Sequence, residues 1–75
     1  MPAKLTEAQI GLRIRHIRTK KKLTAKQLSL KLGWAPSRVS RIECVDMTLF
    51  MRDIITLADA LEIKLADLLA DEFEI

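Results

Sequence analysis

The feature that most constrains the fold is a helix-start pattern that occurs twice in the first 28 residues. A leucine, a threonine, two intervening residues, a glutamine and a second aliphatic residue follow one another at Leu5–Ile10 and again at Leu23–Leu28. In a capping box of this kind, the threonine side chain accepts a hydrogen bond from the glutamine amide, and the glutamine side chain reaches back to the threonine amide. The two aliphatic residues can pack together as a hydrophobic staple. One helix is therefore predicted to begin after Thr6 and a second after Thr24.

The second helix is predicted to be short and to lead directly into a third. Gly33 can adopt the left-handed conformation that ends a helix. Pro36 suits the first turn of the next helix, where its missing amide costs nothing. Val39 and Ile42 are spaced to face inward on that third helix.

Apolar residues at helical spacing predict two more helices after a loop at residues 44–47. The fourth carries Met51, Ile54, Leu57, Ala58 and Leu61 on its inner face, and Ile63, Leu65, Leu68 and Leu69 continue into the fifth. No segment alternates with a period of two, so no strand is predicted. The expected fold is all-α, with five short helices around an aliphatic core in one domain spanning residues 1–75.

Charge divides sharply along the chain and indicates a polyanionic partner. Residues 1–43 contain eleven Lys and Arg against two acids, whereas residues 44–75 contain two bases against eight acids. One end of so small a domain then attracts a polyanion while the other is repelled, which can orient the protein on it. A solvated surface of mixed sign is the alternative.

The length and the single cysteine favour assembly with a second copy. A chain of 75 residues buries only roughly 60% of its unfolded surface, and Cys44 has no partner for a disulfide within the chain. A second copy could supply the missing burial.

No apolar stretch approaches a membrane span, so a soluble, cytoplasmic protein is expected. No catalytic constellation, metal-ligand spacing or cofactor motif is evident, so we expect a protein that is not an enzyme and has no cofactor.

The third helix presents a face suited to DNA. At 100° per residue, Ser37 and Arg41 point away from the apolar side, and Arg38 and Ser40 flank them. Arginine can donate two hydrogen bonds to guanine, and short serines let a helix approach base edges closely. Ser37, Arg38, Ser40 and Arg41 are therefore candidate base contacts, with a phosphate an alternative partner for Arg38. An ordinary solvated helix face is the other interpretation.

Together these segments resemble the phage Cro and repressor type of helix-turn-helix domain, also called lambda-repressor-like. The resemblance spans roughly residues 9–70 and rests on Ile10–Arg18, Leu23-Thr24, Gln27-Leu28, Leu32-Gly33, Val39–Glu43 and Leu57–Leu61. It implies a helix-turn-helix at roughly 24–43, a dimerisation part at roughly 49–75, and a homodimeric transcriptional regulator on a palindromic operator.

The resemblance also implies roles for individual residues, and this chain departs from the family at three of them. One is Pro36, which stands where the family often has a base-reading polar residue. The family commonly has a capping residue at the position of Ala35 and a phosphate-binding glutamine at the position of Ala25; alanine can do neither from its side chain. The family pairs a basic residue of the first helix with a glutamate that ends the recognition helix. Here these are Arg18 and Glu43, and we expect a structural ion pair.

Further basic residues are candidates for phosphate contacts. They are Lys20, Lys21, Lys22 and Lys26, together with Arg13, which is placed on the outer side of the first helix. A merely solvated basic loop is the alternative for the three consecutive lysines.

Apolar residues in the acidic half exceed what so small a core can hide and indicate a dimer interface. The candidates are Leu49, Phe50, Ile55, Phe73 and Ile75.

The sequence favours a repressor or autoregulator such as a Cro-like switch or the controller protein of a restriction-modification system. An antitoxin that binds a protein partner and represses its own operon, an adaptor and an RNA-binding protein are the alternatives.

Overall fold

A computed structural model describes residues 5–73, and their regular structure is entirely helical. In chain order the helices are α1 (Glu7–Lys20), α2 (Ala25–Lys31), α3 (Arg38–Glu43), α4 (Met51–Ala60) and α5 (Leu65–Leu68). No strand occurs between residues 5 and 73, and the predicted five-helix, all-α fold is confirmed. None of these helices has the length and apolarity needed to cross a bilayer.

Both predicted capping boxes are present. At the start of α1, the Gln9 amide donates to Thr6 Oγ1 at 3.2 Å and the Thr6 amide donates to Gln9 Oε1 at 2.9 Å. At the start of α2, the corresponding distances between Thr24 and Gln27 are 3.0 and 2.8 Å. Each box bonds amides that a helix start would otherwise leave unpaired, which fixes where the two helices begin.

Gly33 ends the second helix as its sequence position predicts. Its φ of +73° is left-handed, and its amide donates to the Leu30 carbonyl at 3.0 Å. The next amide, of Trp34, donates to the Ser29 carbonyl at 2.9 Å. This pair of bonds is a Schellman motif, which reverses the chain after α2.

The core draws buried aliphatic side chains from all five helices. It consists of Ile10, Ile14, Ile17, Leu28, Val39, Ile42, Ile54, Leu57, Ala58, Leu61 and Leu68. Val39 and Ile42 are essentially inaccessible, which confirms the predicted inner face of α3. Gly11 permits α1 to approach the end of α3, because a Cβ there would lie 2.5 Å from the Glu43 carbonyl oxygen.

Two local predictions are wrong. Met51 was assigned to the inner face of α4 but is 53% exposed, because it lies at the edge of the apolar stripe, on the side of the exposed Ile55. Pro36 was placed in the first turn of the third helix, but α3 begins at Arg38. Pro36 lies instead in a turn closed by a hydrogen bond from the Arg38 amide to the Ala35 carbonyl at 3.0 Å.

Candidate nucleic-acid interface

A fully buried serine joins α2 to α3. The hydroxyl of Ser29 donates to the Ala25 carbonyl at 2.8 Å and accepts from the Val39 amide at 3.0 Å. Amides in the first turn of a helix have no acceptor within that helix. Ser29 therefore caps α3 from the neighbouring helix and ties the two helices together. The sequence analysis missed this residue, although the lack of a capping side chain before α3 was a signal that an acceptor was needed.

The main chain supplies a second bond at the same helix start. The Ala35 carbonyl accepts from the Arg38 amide, so this residue contributes through its backbone what its side chain cannot. Ser37 directly precedes α3, but with ψ near 0° its side chain makes no capping bond. Its hydroxyl lies on the exposed surface of the protein.

The outer face of α3 carries two hydroxyls beside a long cation. Ser37 and Arg41 are exposed, and Ser40 is half-buried with its hydroxyl donating to the Ser37 carbonyl at 2.9 Å. The side chain of Arg41 is 54% exposed, and its Nε lies 3.5 Å from a carboxylate oxygen of Asp46, whose side chain is 72% exposed. Residues spaced by three and four positions share one helix face. Small polar groups with an exposed arginine beside them can contact base edges in the major groove.

Arg38, the fourth candidate base contact, is held within the protein. Its Nη2 lies 3.0 Å from both carboxylate oxygens of Asp53 in α4. Its guanidinium carbon lies 4.5 Å from the centre of the Trp34 ring. The side chain of Asp53 is 7% exposed and that of Arg38 is 31% exposed.

Comparison with known families supports the interpretation of this region. A family model described as a helix-turn-helix matches residues 14–43, which include the end of α1, all of α2 and α3, and the turn between them. Residues 14–43 form a helix-turn-helix. The match supports DNA binding by the segment. No curated protein and no solved structure matches the chain.

The basic loop lies between α1 and α2 of the helix-turn-helix. Lys20, Lys21 and Lys22 are all exposed there, and Lys26 is exposed in the first turn of α2. Lys22 has a left-handed φ of +59°, which turns the chain from one helix towards the next. Their contact with phosphate stays a prediction.

Arg13 does not belong to this basic surface, and its placement on the outer side of α1 is wrong. It is 8% exposed, and its Nη1 donates to the carbonyls of Leu68 at 2.8 Å and Ala70 at 2.6 Å. Its guanidinium lies 5.0 Å from the centre of the Phe73 ring. The chain after α5 thus folds over Arg13, and the arginine caps the end of that helix rather than meeting solvent.

The predicted ion pair between Arg18 and Glu43 is present. Arg18 donates from Nε to Glu43 Oε2 at 2.7 Å and from Nη2 to Oε1 at 3.0 Å, while its Nη1 donates to the Leu23 carbonyl at 2.7 Å. The hydrogen bond to Glu43 raises the pKa of Arg18, although burial of the guanidinium acts to lower that pKa and offsets part of the rise. This bidentate pair joins α1 to the end of α3, and both side chains are largely removed from water.

Proposed function

We propose that the protein is a transcriptional regulator, a repressor or autoregulator, that binds double-stranded DNA as a homodimer on a pseudo-palindromic operator. The observation that carries this proposal is the outer face of α3, where the exposed Arg41 lies beside Ser37 and Ser40 in the segment that matches a helix-turn-helix. The opposite face of the same helix is in the core, so α3 is rigidly presented. Such a regulator acts in the cytoplasm, where its operator is.

The side chains divide into base-reading and phosphate-binding groups. Arg41 is suited to donate two hydrogen bonds to a guanine, and Ser37 and Ser40 are short enough to let the helix backbone approach neighbouring bases. Lys20, Lys21, Lys22 and Lys26 supply charge for the DNA backbone, which positions the protein without selecting sequence. The acidic surface of the other half keeps that side away from the DNA.

Selection of bound DNA from a random-sequence pool tests the proposal. Purified protein should enrich a pseudo-palindrome whose half-sites lie about 34 Å, or about 10 base pairs, apart. The Arg41→Ala variant, selected in parallel, should lose the preference at one or two positions of each half-site. Enrichment of no sequence, or binding of RNA in preference to duplex DNA, would contradict the proposal.

The homodimer is proposed to form through the exposed apolar side of α4. Phe50 is 44% exposed and Ile55 is 48% exposed, and the half-exposed Met51 shares their side of the helix. Of the other predicted interface residues, Leu49 and Phe73 are partly buried against the protein's own core, and Ile75 lies outside the described residues. The interface is therefore expected to centre on Phe50, Met51 and Ile55, which stay about half exposed although the Arg52 guanidinium lies 4.7 Å from the centre of the Phe50 ring.

The same apolar surface favours one alternative function. A helix-turn-helix protein that neutralises a toxin also needs an exposed apolar surface away from its DNA face, and Phe50, Met51 and Ile55 could bind such a partner. A second protein that co-purifies at fixed stoichiometry, with loss of the complex on Ile55→Glu, would favour an antitoxin. A homodimer without a further partner favours a Cro-like switch or a restriction-modification controller.

A further inference from the structure

Arg38 lies on the recognition helix but is bonded to the protein rather than directed into solvent. It is the first residue of α3, and Nη2 is shared between Asp53 Oδ1 and Oδ2 at 3.0 Å each. Its Nε is buried, with no acceptor among residues 5–73. One face of the guanidinium stacks on Trp34, in the turn of the helix-turn-helix. Two edges and one face of the group are therefore already occupied or covered.

Asp53 depends on this contact. It lies in the first turn of α4, its side chain is 7% exposed, and both carboxylate oxygens face Arg38. A carboxylate removed from water and left without its cation is strongly destabilising. If Arg38 turned towards a base, the buried Asp53 would lose its partner, and this penalty exceeds what one bidentate base contact returns.

The contact joins three parts of the molecule at one point. Trp34 belongs to the turn before α3, Arg38 begins α3, and Asp53 belongs to α4. The planar guanidinium has a fixed geometry towards both the ring and the carboxylate, so it restricts rotation of α3 about its own axis. Arg41 lies three residues further along the same helix, so a rotation of α3 about its axis would change the direction in which the Arg41 side chain points.

We propose that Arg38 is a positioning residue, which together with Asp53 and Trp34 sets the angle at which α3 presents Arg41 to the operator, and that Arg38 does not itself read a base. The proposal rests on the proposed DNA-binding function. It makes Asp53, a buried residue of α4, a determinant of DNA specificity. A direct contact by Arg38 with base or phosphate is the competing role.

The two roles differ in what happens when Asp53 is removed. If the pair positions α3, then Asp53→Ala and Arg38→Met each lower operator affinity by about tenfold, and the double variant loses no more than either alone. Affinity for non-operator DNA stays within about twofold of wild type, because non-specific binding does not require the correct angle of α3. The methionine keeps an apolar stem against Trp34, so packing of the turn is retained.

The pair formed by Arg41 of α3 and Asp46, which lies just after that helix, supplies matched controls. Its two side chains are exposed and 3.5 Å apart, so Asp46→Ala removes one negative charge without unpairing a buried group. Asp46→Ala should leave operator affinity unchanged or raise it slightly. Arg41→Met should lower that affinity whether or not Asp46 is present.

Fluorescence anisotropy titrations on operator and non-operator duplexes at several salt concentrations measure these effects, with circular dichroism to confirm that each variant is folded. The proposal is overturned if Asp53→Ala keeps or raises operator affinity while Arg38→Met lowers it and reduces the salt slope by about 0.9, because Arg38 then contacts DNA. It is also overturned if Asp53→Ala, Arg38→Met and the double variant are all folded and bind the operator like wild type. A wild-type protein that binds no selected duplex instead removes the proposed function, and the positioning role with it.

Discussion

The hydroxyl of Ser29 bonds to both α2 and α3, so its removal isolates a single contact between these two helices. We expect Ser29→Ala to lower the free energy of unfolding by about 1–3 kcal/mol, because the Val39 amide would remain buried without an acceptor. Urea denaturation followed by circular dichroism measures the change. Ser40→Ala is the control, since its hydroxyl bonds a neighbouring carbonyl on the protein surface, and it should change stability by about 0.5 kcal/mol or less. Equal effects for the two variants would remove Ser29 as the cap of α3.

Arg41 is the residue on which sequence preference should depend most. Arg41→Ala is expected to lose about 1–3 kcal/mol of operator binding while the protein stays folded, because the side chain is exposed and lies outside the core. Binding titrations on the selected operator and on variants with single base changes measure this loss. Lys64→Ala removes an exposed cation from the acidic half and should bind operator like wild type. A folded Arg41→Ala protein with wild-type affinity would exclude Arg41 from the interface.

Lys21 tests the phosphate assignment. Lys21→Ala should weaken binding to all duplexes by a similar factor and reduce the slope of log K against log salt by about 0.9, because one neutralised phosphate is lost. Lys64→Ala removes an exposed lysine from the acidic half and should leave the slope unchanged. A loss for Lys21→Ala that depends on DNA sequence would instead place this residue on a base.

The ends of the helices share one geometry but use different residues. After α1, α3 and α4, as after α2, a left-handed residue is followed by an amide that bonds back to a carbonyl of the last turn. The left-handed residues are Lys22, Gly33, Val45 and Glu62. Only one of these four is glycine, so three helix ends hold a side chain in a conformation that costs about 1–2 kcal/mol.

Glu62 offers the cleanest test of that strain. It is exposed, its φ is +57°, and it lies in the acidic half, away from α3. Glu62→Gly should raise the free energy of unfolding by about 0.5–1 kcal/mol, the relief of strain exceeding the added freedom of the unfolded chain. Gly33→Ala introduces the same strain at an unstrained helix end and should lower stability by a similar amount. Thermal denaturation measures both, and a destabilised Glu62→Gly protein would show that this helix end carries no strain.

At the level of the whole molecule, the apolar side of α4 should determine oligomeric state. Ile55→Glu is expected to convert a dimer at micromolar concentration into a folded monomer, because a charge would be buried in the symmetric interface. Sedimentation velocity measures the mass. Leu12→Glu substitutes an equally exposed leucine on α1 and should leave the dimer intact. A wild-type protein that sediments as a monomer would contradict the assembly while leaving the helix-turn-helix in place.

The sequence predicted those features that depend on neighbouring residues. Thr6 and Thr24 reach acceptors and donors three positions away, and Gly33 needs only its own backbone freedom, so these boundaries were correct. The inner positions of α3 followed from helical spacing for the same reason. Ion pairing of Arg18 with Glu43, 25 residues away, came from the family resemblance, with support from the position of Glu43 as one of only two acids in the basic half.

The error at Arg13 arose because its charged side chain finds a distant partner. Spacing alone gives Arg13 an outward direction, but its acceptors are the Leu68 and Ala70 carbonyls, 55 and 57 residues away. Likewise, nothing close to Arg38 in sequence indicates Asp53 on α4. Long arginine side chains can bend back over the surface they extend from, so helical position fixes their starting point but not the group they meet.

The tie between Arg13 and the end of α5 affects how the protein opens. A helix of four residues has almost no stability of its own, and here its terminal carbonyl is bonded to the longest helix. If the segment from Leu68 to Ala70 loosens, Arg13 loses both acceptors, so local fraying costs two charge-assisted hydrogen bonds that tie this segment to α1. Slow amide hydrogen exchange should therefore extend into α5, with α1 and α5 opening together as one cooperative unit.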